Sequence, residues 1–126
     1  MHRSRLAGFI IDCKTDDLER AAQFWSAALG YDLRPKSEET SPLYRCMLTD
    51  ELGLHVEVQK VEHESRVHLD IESDDIEAEV KRLEALGAKR IGTVHTWCVM
   101  EAPTGQRFCI VRPQNKQFAD QATSWK

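Results

Sequence analysis

The sequence predicts an α+β fold built from two βαβββ modules, and three observations support this prediction. A strand-like segment that leads into a helix start occurs twice, at residues 11–19 and 69–77, at a constant spacing of 58 residues. Each copy continues with an amphipathic helix and then three strand-like segments. The final strands also match, because residues 53–58 align with residues 105–110. Agreement at both ends of the copies indicates an internal duplication.

Each predicted helix carries one apolar face at a period of 3.6 residues and ends at a glycine. We expect the first helix to end at Gly30 and the second at Gly87. Asp16 and Asp74 are the predicted N-caps, and Glu19 and Glu77 are expected to complete capping boxes. The apolar positions are Leu18, Ala21, Ala22, Trp25, Ala28 and Leu29 in the first helix and Ile76, Val80, Leu83 and Leu86 in the second. Phe24 and Trp25 are both expected in the core.

Strands are predicted after each helix, separated by turn-forming residues. In the first module they cover residues 31–34, 43–48 and 54–61, and in the second they cover residues 89–95, 97–101 and 107–112. We therefore expect a single domain over residues 1–113, with module one at about residues 5–62 and module two at about residues 66–113. Residues 114–126 are polar and are expected to form a C-terminal tail.

Composition excludes several classes of protein. The chain has 126 residues, a formal net charge of −4 and 41% hydrophobic residues, as expected for one globular domain. A nucleic-acid surface would need a basic stripe, and a membrane span would need about 20 apolar residues. The basic residues 1–5 precede an apolar run at residues 6–11 that is too short for a signal peptide. We therefore expect a cytoplasmic protein with reduced cysteines and without a zinc finger.

Five segments carry a resemblance to a known superfamily, namely residues 17–25, 29–31, 66–71, 83–88 and 102–109. Together with the duplicated pattern, they resemble the vicinal oxygen chelate superfamily, which includes glyoxalase I, bleomycin resistance proteins and extradiol dioxygenases, and most of all its glyoxalase-like domain proteins. The resemblance covers residues 5–113. It implies a curled mixed sheet with a central cleft, a small-molecule ligand and a homodimer. It also implies metal ligands on the first and last strands of each module.

Counting along the two copies carries the four ligand positions of the family onto Ile10, Glu57, His68 and Cys109. Ile10 cannot bind a metal, so the resemblance implies an incomplete site of Glu57, His68 and Cys109. This donor set suits zinc better than magnesium or manganese. The cofactor alternatives are a divalent ion (zinc, nickel, manganese or iron) and no metal.

Each candidate residue has a structural alternative. His68 is either a ligand or general base, or a half-buried strand histidine that is hydrogen-bonded to a neighbour. Glu57 is expected to face the cleft as a base, an ion-pair partner or a solvated group. Cys109 is either a core thiol or a functional one. Asp12 and Asp70 form a symmetric pair that suits helix entry or the barrel rim better than acid–base chemistry.

The resemblance implies two main functions. One is a lyase, isomerase or dioxygenase-like enzyme that acts on a small oxygenated metabolite, with Glu57 and His68 as its catalytic residues. The other is a metal-independent binding protein of the bleomycin-resistance type, which captures a drug or metabolite without chemistry. A regulatory or interaction module with a degenerate site is a third alternative, because a fold alone does not determine function.

Overall fold

A computed structural model describes all 126 residues as eight strands and three α-helices, which confirms the α+β class. The elements are β1 (His2–Lys14), α1 (Leu18–Leu29), β2 (Tyr44–Cys46), β3 (His55–Val61), β4 (Arg66–Ser73), α2 (Ile76–Ala85), β5 (Lys89–Val94), β6 (Trp97–Glu101), β7 (Arg107–Val111), α3 (Phe118–Gln121) and β8 (Thr123–Trp125). Short 3₁₀ turns lie at Lys36–Glu38 and Asp50–Leu52. None of the helices could cross a bilayer.

The chain divides into two compact units, each of which contains most of one predicted module, and residues 5–8 group with the second module. We call residues 9–67 the first-module unit. Residues 1–8 and 68–126 form the second-module unit. Each unit is described separately below.

The first-module unit places α1 against a core of apolar side chains. Ala22 is fully buried there, and Trp25 packs against the same cluster. Phe24 is 62% exposed, so the prediction that it belongs to the core is wrong. The reason is helical geometry, since adjacent residues point about 100° apart and only one of the pair can face the sheet. The buried core residues are Ile11, Ala22, Met47, Val56 and Val58.

Strand β3 of this unit lies between β1 and β2, and the β2–β3 pair is antiparallel. Its register sets Cys46 opposite Glu57. The predicted strand at residues 31–34 is reduced to one bridge, between Leu33 and Met47.

The second-module unit has the strand order β4-β7-β6-β5, with α2 packed over it. Strands β4 and β7 are parallel, whereas β7, β6 and β5 pair antiparallel. The core contains Val80 of α2 with Cys98, Met100 and Ile110 of the sheet. The parallel β4–β7 pair is the feature that positions the candidate site of this unit.

Both helix caps lie one residue later than predicted. Asp17 accepts from the amide of Arg20, and Asp75 accepts from the amide of Ala78. The helices begin at Leu18 and Ile76, so Asp16 and Asp74 lie outside them. For the same reason Glu19 and Glu77 occupy the second helical position, from which no capping box forms. They instead form ion pairs with Arg45 and Arg90.

The segment expected to be a polar tail is folded against the second-module unit. It contains α3 and β8, and β8 pairs antiparallel with β1 so that Trp125 lies opposite His2. Phe118 is buried, and the indole of Trp125 donates to Ser4 Oγ at 2.8 Å. Two aromatic anchors in a polar stretch are too sparse to produce a periodic signal, which is why the sequence did not reveal these elements.

Candidate functional site

The structure contains two groups of three side chains that could hold a metal ion, one in each unit. The second-module unit brings together His68, Asp70 and Cys109, and the first-module unit brings together Cys46, His55 and Glu57. Within each group, all three candidate ligand atoms lie within 4.8 Å of one another.

The His68 group is built by neighbouring parallel strands. His68 and Asp70 are two residues apart on β4, so their side chains share one face of the strand. Asp70 lies opposite Cys109 of β7. The Nε2 atom of His68 is 3.5 Å from Oδ1 of Asp70, and the two side chains are only 12% and 9% exposed. The site is therefore largely shielded from water.

This donor set fits a zinc-type ion. Ligands held about 2.0–2.3 Å from a tetrahedral zinc are about 3.3–3.8 Å from one another. The 3.5 Å between His68 and Asp70 lies within that range. Imidazole, carboxylate and thiolate are all zinc ligands, whereas a thiolate does not suit magnesium or calcium. The three residues therefore match a zinc site with three protein ligands.

The Cys46 group is a closed network of hydrogen bonds. The Cys46 thiol donates to Glu57 Oε2 at 3.2 Å, and His55 Nε2 lies 2.8 Å from the same oxygen. Burial, and then the nearby charge of Glu57, raises the pKa of Cys46 well above its usual range. The thiol is therefore protonated at neutral pH, which is consistent with its role as a donor.

The structure sorts the predicted site residues into these groups. His68 and Cys109 lie together, joined by Asp70, which the sequence suggested for helix entry or the barrel rim. Glu57 lies with Cys46 and His55. The catalytic roles of Glu57 and His68 stay predictions, as does their common site with Cys109.

Ile10 and Asp12 lie on β1 of the first-module unit. Ile10 is 3% exposed and takes the buried position expected of an apolar side chain. The Asp12 carboxylate lies 3.5 Å from Nε of Arg66, whereas its counterpart Asp70 lies beside His68. The pair that looked symmetric in the sequence therefore has two different environments.

Cys46 and His55 are the candidate ligands that sequence reasoning missed. The available signal was the pattern His55-x-Glu57 on a predicted strand, which places two ligand types on one face. The position of Cys46 opposite Glu57 could not be derived, because it depends on the strand register across residues 47–54.

Two fully buried carboxylates of the second-module unit are saturated with donors and therefore structural. Glu72 accepts from Arg5, from the amides of Gln114 and Asn115, and from the Asn115 side chain. This ties the C-terminal segment to the sheet. Saturated oxygens of this kind have little capacity left to bind a substrate.

Glu79 of α2 is the second of these carboxylates. Burial by itself would raise its pKa, but hydrogen bonds from Arg82, His2 and Ser4 outweigh burial and lower the pKa to about 2. His2 and Ser4 contact it at 2.7 Å, and Arg82 donates to both of its oxygens at 2.8 Å. Glu79 therefore joins the N-terminal strand to α2 as a carboxylate.

The first-module unit also contains a surface cavity of about 360 Å³. Its walls come from the start of α1, from β2 and from the loop at residues 36–42. Leu18, Pro42 and Tyr44 provide apolar surface, and Lys36 and Arg45 provide positive charge. Glu19 and Glu39 also line the cavity, and both form ion pairs with Arg45. Small-molecule sites in proteins typically enclose about 300–1,000 Å³ and combine apolar surface with a few polar groups.

Solved structures with TM-scores above 0.5 share the fold at low sequence identity. One is a Legionella pneumophila protein described as an NAD-dependent benzaldehyde dehydrogenase, with 10% identity, a TM-score of 0.59 and coverage of 84% of this chain and 99% of that one. Another is a hypothetical protein of Bacillus halodurans, with 11% identity, a TM-score of 0.59 and coverage of 90% of this chain and 96% of that one. A methylmalonyl-CoA epimerase with bound methylmalonyl-CoA matches with 13% identity, a TM-score of 0.49 and coverage of 88% of this chain and 99% of that one.

No curated protein sequence matches this chain. Residues 8–111, which make up more than three-quarters of the chain, match the family model of the glyoxalase-like domain. The match spans α1, α2 and all strands from β2 to β7. The chain therefore belongs to the glyoxalase-like domain family of the vicinal oxygen chelate superfamily.

Proposed function

We propose that this protein is a lyase or isomerase that acts on a small oxygenated metabolite, with a divalent metal ion held by His68, Asp70 and Cys109. The observation that carries the proposal is the clustering of these three ligand types within 4.8 Å on adjacent strands of one unit. Membership of the glyoxalase-like domain family supports the same class of chemistry. Zinc is the ion that this donor set favours.

The metal would supply a Lewis acid that polarises neighbouring substrate oxygens. The protein residues supply the position and the shielding of the site. His68 and Asp70 would both reach the ion directly, because the Nε2 and Oδ1 atoms are 3.5 Å apart, which suits two ligands of one zinc ion. Cys109 is held in register with Asp70 by the β4–β7 ladder. Three protein ligands are typical of catalytic zinc sites, which keep a position for the substrate.

An exchange experiment tests the proposal. Lyases and isomerases of this class remove a proton next to a carbonyl group. The purified protein, loaded with zinc, is incubated in D₂O with a panel of small α-oxo and α-hydroxy carbonyl compounds, and NMR measures exchange of the α-proton. We expect His68→Ala to abolish exchange and His63→Ala, at an exposed histidine, to retain it. Equal exchange with and without His68, or none with the whole panel, would contradict the proposal.

Two further experiments address the remaining predictions about the enzyme. Glu57→Gln tests the general-base role predicted for that carboxylate, which requires loss of exchange with zinc still bound at His68. Size-exclusion chromatography with light scattering tests the homodimer that the resemblance implies.

A second candidate function is metal-independent binding of a small molecule. The cavity of about 360 Å³ in the first-module unit favours it, because its size and its combination of apolar surface with charged groups of both signs suit a small polar ligand. A thermal-shift screen in the presence of a chelator would identify such a ligand. Thr40→Trp, which fills the cavity, should abolish the shift. Ser37→Trp, at an exposed position of the same loop outside the lining, should leave the shift unchanged.

A further inference from the structure

We propose that Cys46, His55 and Glu57 form a second metal site, which binds a zinc-type divalent cation independently of His68, Asp70 and Cys109. The site lies wholly within the first-module unit. It shares no ligand with the metal ion of the proposed function, although Glu57 is also the general base predicted for that enzyme. Cys46 and His55 also occupy none of the four ligand positions that the family resemblance implies.

The geometry brings three different ligand types to one point. Cys46 of β2 faces Glu57 of β3 across an antiparallel pair, with the sulfur 3.2 Å from Glu57 Oε2. His55 is two residues before Glu57 on the same strand, and its Nε2 is 2.8 Å from the same oxygen. These distances are a few tenths of an ångström shorter than the edges of about 3.3–3.8 Å around a tetrahedral zinc. A small outward movement of the side chains would therefore admit the ion.

The backbone around the group is held in place by its own hydrogen bonds. The amide of Cys46 donates to Glu39 Oε2 at 2.6 Å, and the amide of Met47 donates to the carbonyl of Val56 at 3.0 Å. The hydroxyl of Thr49 donates to the carbonyl of Leu54 at 2.6 Å and closes the connection between β2 and β3. Support of this kind keeps ligands in place before the metal arrives and lowers the entropic cost of binding.

Burial also favours an ion with strong ligand bonds. The side chains of His55 and Glu57 are 20% and 15% exposed, and Cys46 is 5% exposed. Binding replaces the sulfur–hydrogen bond of Cys46 with a sulfur–metal bond, and the thiol proton passes to the solvent buffer. The thiolate and the carboxylate then balance the two positive charges of the ion, so the buried site becomes neutral. No redox change or additional reactant is required.

Cobalt titration tests this site, because Co²⁺ substitutes for zinc and its thiolate complexes absorb in the near ultraviolet. The full untagged chain is reduced, stripped with a chelator and titrated with Co²⁺, first as wild type and then as Cys109→Ser. Removal of Cys109 eliminates the thiolate signal of the other group. We expect Cys109→Ser to retain one Co²⁺–thiolate complex per chain and the double variant Cys109→Ser/Cys46→Ser to lose it.

Matched variants separate ligand loss from misfolding. Cys109→Ser/Cys13→Ser is the control, because Cys13 lies in the same unit and belongs to neither group. It should retain the complex. His55→Gln in the Cys109→Ser background should weaken Zn²⁺ binding by at least about 100-fold, as measured in competition with a chromophoric chelator. Loss of a residue that only hydrogen-bonds to a metal ligand already lowers metal affinity by about 10–100-fold, so loss of a ligand should cost at least as much. Thermal unfolding of each metal-free variant confirms that it is folded.

The outcomes also separate this proposal from the proposed function. A thiolate signal that survives loss of Cys46, or no bound ion in Cys109→Ser, would overturn the second site. A signal that depends on Cys46 alone, with none that depends on Cys109, would support the second site and remove the metal from the proposed function.

Discussion

The two units gather the same three ligand types around equivalent strand positions, but they recruit them from different neighbours. Glu57 of β3 and Cys109 of β7 correspond in the repeat. Glu57 is joined by Cys46 from β2 and His55 from its own strand, whereas Cys109 is joined by two residues of β4. The duplicated backbone is therefore similar in each unit, while the donors occupy different places on it.

Single side chains explain the difference. The residue that corresponds to His68 is Ile10, so β1 provides no imidazole in the first-module unit. In the second-module unit, Arg107 corresponds to His55, and Val99 lies opposite Cys109 where the other unit has a cysteine. The donors lie on β2 and β3 in the first-module unit and on β4 and β7 in the second-module unit. The four ligand positions implied by the family resemblance include only half of these donors.

The units also differ in the charge that they bury. The first-module unit buries the cation Arg45, which pairs with Glu19 and Glu39. The second-module unit buries the carboxylate Glu79, which accepts from Arg82, His2 and Ser4. This contrast leads to three predictions, arranged from the largest expected effect to the smallest.

Glu79→Gln should lower the free energy of unfolding by about 3 kcal/mol. The change leaves the buried side chain of His2 and the guanidinium of Arg82 without their anionic partner, and loss of one member of a buried pair typically costs about 3–5 kcal/mol. Urea denaturation monitored by circular dichroism measures the change. Glu84→Gln, at an exposed position of α2, is the control and should have an effect of less than about 0.5 kcal/mol. A loss below 1 kcal/mol would show that the anion-centred network is not important for stability.

Acid should lower the free energy of unfolding through protonation of Glu79. The pKa of Glu79 falls from 4.5 to about 2 on folding, so its contribution is complete above pH 4.5 and is lost as the pH falls towards 2. Between pH 5 and pH 3 we expect a loss of about 2 kcal/mol from this group. Urea midpoints across this range measure it. Glu79→Gln should make the urea midpoint depend less steeply on pH. An equally steep dependence in that variant would show that another group causes the acid sensitivity.

The helix caps should be the feature that the two units share most closely. Asp17→Ala and Asp75→Ala should each lower the free energy of unfolding by about 1 kcal/mol, since each cap satisfies one amide of a first helical turn. Asp16→Ala tests the position that sequence reasoning favoured and should have little effect, because Asp16 precedes the cap. If Asp16→Ala were the more costly change, α1 would begin one residue earlier than in this structure.

Much of the fold could be predicted because periodicity is local. The apolar repeat of α1 and the glycine that follows it predicted where the helix ends, and Gly30 has the left-handed φ of 79° that favours glycine. The C-terminal elements could not be predicted in the same way. Their stability depends on Phe118, on the stacking of Arg82 over Trp125 and on pairing with β1. These are contacts with residues more than 30 positions away.

The sequence by itself predicted the duplication and the order of the helices and main strands within it, because hydrophobic periodicity and turn residues encode these features within short stretches of chain. The family resemblance pointed to three of the six residues in the two candidate metal groups, namely Glu57, His68 and Cys109. Only the tertiary structure decided which donors meet. The register across β2 and β3 sets Cys46 opposite Glu57, and the parallel β4–β7 pair sets Asp70 opposite Cys109. Register depends on packing between strands distant in sequence, and a shift of one residue would turn each of these side chains to the other face.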